Sequence, residues 1–390
     1  MKRTLSVLLA LLSVLTCEAQ KQHYSLDFIV SRTDFADTIA IEYERGLVFV
    51  PVSVGGKQLR FLLDTGASQT TIYDDVTIDG ALPDGFIVSH DAVAQTTTVP
   101  MMLLPPLTLG KTTFSGMRAT VRHRAVKRSG VDGIVGFDIV CKGLNLKIDV
   151  RNKQLVLSDR YDFFEQEPGM KLKYRLNFHV PYIEVCPFGK YRERTLFDTG
   201  FRQLYSINKA SFDRGAAQPR HQADKQVEGR SMGRFAIGHG GAEQRSEVVF
   251  LCLDSLCVGG FSFSQLHTLT TQGVSKIGGK LLEYGAVTFN PQHKRMRFQP
   301  YDGLSRAVVA NKQVEKAIVP QEGLPAIGLV WERSEAYKAG FREGDILLTA
   351  DGQDIGSFDD YVRFRPLIGH SYRFLVRDRQ GVLKEVTAPW

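Results

Sequence analysis

The chain has 390 residues, 43% of them hydrophobic, and a formal charge of +7; that length exceeds one ordinary core and predicts two or three folding units. The basic excess is mild and is densest in RHRAVKR (Arg122 to Arg128), which lacks interleaved aromatics, so a solvated surface is expected and nucleic-acid binding is not. Five sparse cysteines exclude a disulfide scaffold, and no Cys and His spacing resembles a metal site, so neither metal nor cofactor is expected.

In chain order, residues 1–19 read as a signal peptide. Lys2 and Arg3 precede an apolar run from Leu5 to Leu15, and Cys17 and Ala19 hold the minus-three and minus-one positions of a cut before Gln20. The run falls short of the roughly 20 residues of a membrane span, and no later segment reaches that length, so no span is expected. The mature chain, with a charge of +6 once Lys2, Arg3 and Glu18 are gone, is expected to be exported, either periplasmic or secreted. Cys17 also closes SVLTC, which offers an alternative as a lipoprotein site; Thr16 is bulkier than the small residue such sites take, which favours simple secretion.

FLLDTGASQTT (Phe61 to Thr71) carries an aspartate out of an apolar strand into a turn. The unit recurs as TLFDTGFRQLYSI (Thr195 to Ile207), and Gln69 answers Gln203. Upstream, VFVPVSV with Pro51 matches FHVPYIEV with Pro181. Downstream, LTLGKTTFSGMRAT (Leu107 to Thr120) aligns without a gap on LCVGGFSFSQLHTL (Leu256 to Leu269). GIVGFDIV (Gly133 to Val140) matches KIGGKLLE (Lys276 to Glu283), Val135 with Ile277 and Gly136 with Gly278. LKIDVRNKQLVL pairs with VTFNPQHKRMRF. Five blocks in order imply a duplicated, strand-rich lobe of about 120 residues, spanning 40–160 and 170–300.

Packing two such lobes about a pseudo-twofold axis brings Asp64 and Asp198 face to face. Two close carboxylates cannot both ionise cheaply, so they share a proton. The ionised member can take a proton from a trapped water while the protonated member polarises a peptide carbonyl. Thr65 and Thr199 are placed to tie the loops together, and Gly66 and Gly200 let backbone amides approach the carboxylates.

These motifs resemble the aspartic proteases of the pepsin and retropepsin kind over about residues 40–300. The resemblance implies an all-β, bilobal double barrel and an endopeptidase acting on polypeptide substrate. It gives Asp64 and Asp198 as catalytic, and Ile134, Val135, Gly136, Ile277 and Gly278 as packing behind the loops. It also implies a flap in FAIGHGGAEQRSEVVF (Phe235 to Phe250), with Gly238, Gly240 and Gly241 near substrate; the aligned first-lobe segment is Phe86 to Leu104. His90 and His239, near the two tips, read as exposed loop residues. Phe201 stands where a small residue is usual, Ala67 in the first lobe, and this supports the alternative of an inactive peptide-binding or scaffold protein on the same fold.

QPYDGLSRAVVANKQVEKAIVPQEG then reads as a polar connector. In AIGLVWERSEAYKAGFREGDIL a strand leads to a short helix near Ser334 to Ala339, Gly340 ends it, and an apolar strand follows Asp345. Asp360 to Val376 suits a helix and then a core strand. Residues 318–390 resemble a bacterial PDZ domain of α+β type, which implies a peptide C-terminus as a partner. One chain carries both aspartates, so a monomer is expected. Cys252 and Cys257 flank Asp254 and Ser255 and leave two alternatives, a hairpin disulfide or two buried thiols.

Overall fold

The computed structural model describes residues 24–90, 96–123, 130–238, 241–367 and 369–390. The leader with Cys17, Arg124 to Arg128 of the basic cluster, His239 and Gly240 lie outside the described residues. Among the described residues no helix is long and apolar enough to cross a membrane.

The duplication is realised strand for strand. In the first lobe β1 (Leu47–Val54) pairs with β2 (Lys57–Leu63), β3 (Leu82–His90) pairs with β4 (Thr96–Leu103), and β5 (Gly133–Val135) lies parallel beside β2. Strand β6 (Asn145–Asp149) closes the unit. The second lobe answers with β7 (Val180–Phe188), β8 (Tyr191–Asp198), β9 (Val227–Gly233), β10 (Ser246–Leu253), β11 (Leu266–Thr271), β12 (Lys276–Gly278) and β13 (Gly285–Asn290). The order of strands across one eleven-stranded sheet is the order across the other, except at one edge, where Ile29–Val30 closes the first and Arg306–Val308 the second.

The lobes are joined through a third sheet, to which each contributes three strands. At its centre β6 pairs antiparallel with β13, Leu146 opposite Phe289 and Ile148 opposite Val287, all four buried. Each such side chain contributes about 1.5–3 kcal/mol on burial, so the floor between the lobes is fixed where the aspartates must meet.

Two sequence expectations change. Counting back from the aspartates, Phe49 lies opposite Leu62 and Tyr182 opposite Leu196, so Phe49 answers Tyr182 and Pro51 answers Glu184; the Pro51 and Pro181 match is out of register. A register shift between Val185 and Phe188 helps to hide this. Arg60 over the Phe49 ring and Arg194 over the Tyr182 ring confirm the corrected pairing. The polar connector is structured: Arg306–Val308 runs parallel to Phe261–Ser264, and Gln313 is buried with its amide on Glu228 and on the Leu251 and Thr268 carbonyls. The lobe also holds a helix, α1 (Lys209–Ala216), capped by the Asn208 side chain on the Ser211 amide and seated by Phe212.

The C-terminal domain opens with β14 (Lys316–Gln321) and β15 (Leu324–Val330), followed by α2 (Glu335–Lys338) and α3 (Phe358–Arg363). Ser334 caps α2, and Gly340 ends it at a φ of +114°. This domain sits on the second lobe. Leu329 and Trp331 pack on Val248, Phe250 and Leu269, with the Trp331 and Phe250 rings stacked 5.5 Å apart.

Candidate active site

Each Asp-Thr-Gly turn begins at the buried end of a strand. Phe61, Leu62 and Leu63 are buried, and β5 beside them accepts the Asp64 amide on the Val135 carbonyl at 3.0 Å. In the second lobe β8 and β12 repeat the arrangement, Phe197 opposite Ile277 and Asp198 opposite Gly278. The apolar-Gly segments therefore lie directly beside the strands that present the aspartates.

The threonines cross between lobes. The Thr65 hydroxyl donates to the Phe197 carbonyl at 2.7 Å and accepts the Thr199 amide at 3.1 Å. The Thr199 hydroxyl donates to the Leu63 carbonyl at 2.6 Å and accepts the Thr65 amide at 3.0 Å. All four bonds are buried, so the two loops are held as one unit.

The glycines are required by the crossing. A Cβ on Gly66 would stand 2.6 Å from the Asp198 carboxyl carbon, and one on Gly200 would overlap the Asp64 carboxylate. Each aspartate thus lies over the other lobe's glycine. The Gly66 amide donates to Asp64 Oδ1 at 2.8 Å and the Gly200 amide to Asp198 Oδ1 at 3.0 Å. Asp64 and Asp198 hydrogen-bond each other, and Asp64 is pushed up to about 8, by burial first and then by the charge and hydrogen bond of Asp198; the Gly66 amide and Lys276 oppose the shift.

Lys276 is the site residue that motif reasoning missed. Its Nζ donates to Asp198 Oδ2 at 2.9 Å, with 13% of the side chain exposed, and it lies 5.6 Å from the Phe201 ring centroid. Burial is the largest single influence and lowers the amine's hold on its proton; the charge and hydrogen bond of Asp198, with the charges of Asp64 and Tyr182, together outweigh it, and the pKa is raised. The repeat contained the signal. Lys276 pairs opposite Leu196 as Ile134 pairs opposite Leu62, so a lysine stands in lobe two where lobe one has a buried isoleucine. Phe201, which replaces Ala67, is the ring beside that lysine. Asp138 was also missed as a positioning group. It is buried, accepts the Thr70 amide at 2.7 Å, and burial pushes it up to about 6 despite that bond.

The hairpin assigned as a flap in lobe two is bound at its base. Gly238 and Gly241 pair across a short hairpin, and the buried Glu243 carboxylate accepts the Phe235 and Ala236 amides and the Thr271 hydroxyl. The Arg234 amide donates to the Gly328 carbonyl at 2.7 Å, and Arg245 makes a two-point pair with Glu343. The corresponding first-lobe hairpin, β3 and β4, has no such cover among the described residues; β3 is a sheet edge with Leu82, Phe86 and Val88 exposed.

Among the described residues the four cysteines are free, so of the two alternatives for Cys252 and Cys257 the disulfide is not formed and the thiols are partly, not fully, buried. The chain leaves one sheet region for another between them: Cys252 lies opposite His267, and Cys257 opposite Cys186. Sequence spacing also did not show two clusters of metal-capable side chains, Glu228 with Cys252 and His267, and Asp162 with Glu165 and His293. In both the histidine is already paired with a carboxylate, at 2.9 Å and 2.6 Å.

Residues 50–139 match the family model described as Aspartyl protease, and with the paired loops this defines an aspartic-protease-like fold. The chain is similar to the solved structure of the aspartic proteinase from Irpex lacteus, with 15% identity, 69% of this chain and 98% of that one covered, and a TM-score of 0.45. It is also similar to the basic 7S globulin from soybean, with 9% identity, 68% and 94% covered, and a TM-score of 0.43. No curated protein matches the chain.

Proposed function

We propose that the chain is an aspartic endopeptidase that hydrolyses polypeptide with a water activated between Asp64 and Asp198. The observation that carries this reading is the crossed pair of Asp-Thr-Gly loops, which brings two carboxyls into hydrogen-bonding contact at the junction of two lobes. The ionised carboxylate takes the water's proton, and the protonated one donates to the peptide carbonyl, so a tetrahedral diol forms without a covalent enzyme intermediate. The β3 and β4 hairpin is the flap of this reading. Its exposed Phe86 and Val88 offer apolar contact to an extended peptide.

The C-terminal domain is PDZ-like in this reading and recruits peptide termini. Export, to the periplasm or beyond, follows from the leader-like first 19 residues. A second reading, peptide binding without turnover, is favoured by one observation, the Lys276 amine seated on an Asp198 oxygen.

Two measurements separate the readings. A peptide whose scissile amide is replaced by hydroxyethylene mimics the tetrahedral state, and it is expected to bind the endopeptidase at least about 100-fold more tightly than the matching amide peptide. Mass spectrometry of an unfolded polypeptide incubated with the protein is expected to find internal cuts. Equal affinity for the two peptides, with no cuts, establishes the binding reading instead.

A further inference from the structure

We infer that Lys276 is a positioning residue of the dyad: it seats the single negative charge on Asp198, leaves the shared proton on Asp64, and sets the pH range in which that pair exists. The inference rests on the endopeptidase reading for its catalytic meaning, and on geometry for its electrostatics.

The asymmetry is built into an otherwise symmetric site. Both aspartates accept the amide of their own loop glycine, at 2.8 and 3.0 Å, and both loops are held by the same reciprocal threonine bonds. Next to the dyad, symmetry fails at two adjoining positions. Lobe one has Ile134 and Ala67, which belong to one apolar cluster; lobe two has Lys276 and Phe201, with the amine near the ring. A buried amine needs a partner, because a buried charge left uncompensated is strongly destabilising. Lys276 takes Asp198 as its ion-pair partner, and Phe201 offers the ammonium its ring face. The substitution of Phe for a small residue is thereby explained as part of the lysine's seat.

The charged and titratable groups around the amine are few. Asp198 comes from β8, Asp64 from the loop after β2, and Tyr182 from β7, with Arg194 stacked on the Tyr182 ring at 4.7 Å. Asp198 is the one in contact. The positive charge favours every state in which a dyad carboxyl is ionised, so both deprotonation steps occur at lower pH than they would without it. The monoprotonated dyad then persists to lower pH, and loses its last proton at lower pH as well.

Lys276→Met tests this. An opposite charge within about 4–6 Å moves a carboxylate titration by about 1–3 pH units, so both limbs of the kcat/KM profile should move to higher pH by about that amount, while Lys276→Arg keeps them near the wild type. Unmoved limbs in a folded Lys276→Met protein overturn the inference. Carbon-13 carboxyl titration by NMR on the wild-type chain gives a reading that needs neither activity nor the variant. Between the two steps Asp198 is expected to report a carboxylate and Asp64 an acid; the reverse order, or an evenly shared proton, overturns the assignment. If the wild type proves to cut nothing, the endopeptidase reading fails, and the NMR result still decides whether Lys276 polarises the pair.

Discussion

At the scale of single residues, the dyad is an arrangement that costs stability. Asp64 is pushed up to about 8 by burial and by Asp198. A carboxyl raised in the folded state contributes stability that is present below its unfolded value near 4, and that is lost as pH rises toward 8. Asp64→Asn removes this liability and keeps an oxygen for the Gly66 amide. Its melting temperature should exceed that of the wild type by several degrees at about pH 8, and the difference should close near pH 4; calorimetry across that range checks both ends. The threonine crossing acts in the opposite sense. Thr65→Ala strips the Phe197 carbonyl and the Thr199 amide of buried partners, and should cost about 2–4 kcal/mol in urea denaturation. Aspartates, threonines and glycines were legible in the sequence because the motif occurs twice. Lys276 was not, because its role depends on the reach of a long side chain to Asp198, which no spacing encodes; the repeat sets it against Ile134, and strand register shows that the exchange lies beside the dyad.

At the scale of elements, the two equivalent hairpins have diverged in what covers them. Strands β9 and β10 lie under Leu329 and Trp331, while β3 keeps a row of exposed apolar side chains. Such a row on a sheet edge is unfavourable in isolation and suits contact with a bound chain. Phe86→Ser should therefore raise KM for peptide hydrolysis by about 10-fold with little change in kcat, as expected for lost uniform binding; steady-state kinetics on a short peptide substrate reads this. The sequence marked both hairpins but not their different surroundings. The glycine-rich stretch of the second reads as a flap, whereas the buried Glu243 anchors its base. The cysteines show the same limit: Cys252 and Cys257 are near in sequence, yet tertiary pairing sends them to different neighbours, His267 and Cys186.

At the scale of the whole molecule, two lobes share one sheet and the C-terminal domain completes the second. Deleting residues 316–390 would remove Leu329 and Trp331 from Val248, Phe250 and Leu269, and should leave a protein that binds a hydrophobic dye and loses hydrogen-exchange protection in β10. The lobes were legible because duplicated blocks carry the period-two pattern of strands, and the connector was misread because its anchors are scattered singly, the Gln313 amide, the Asn311 amide on His267 and the partly buried Ala307, Val309 and Val314, with no strand or helix period. All of these parts converge on two carboxyls at the centre of the molecule. The direct test of their role is to follow cleavage of an unfolded polypeptide by the wild type, Asp64→Asn and Asp198→Asn from about pH 3 to about pH 9. The wild type should cut over a bell-shaped range and each variant should lose at least about 1000-fold in rate while remaining folded; undiminished cleavage by either variant would contradict the assignment of the dyad.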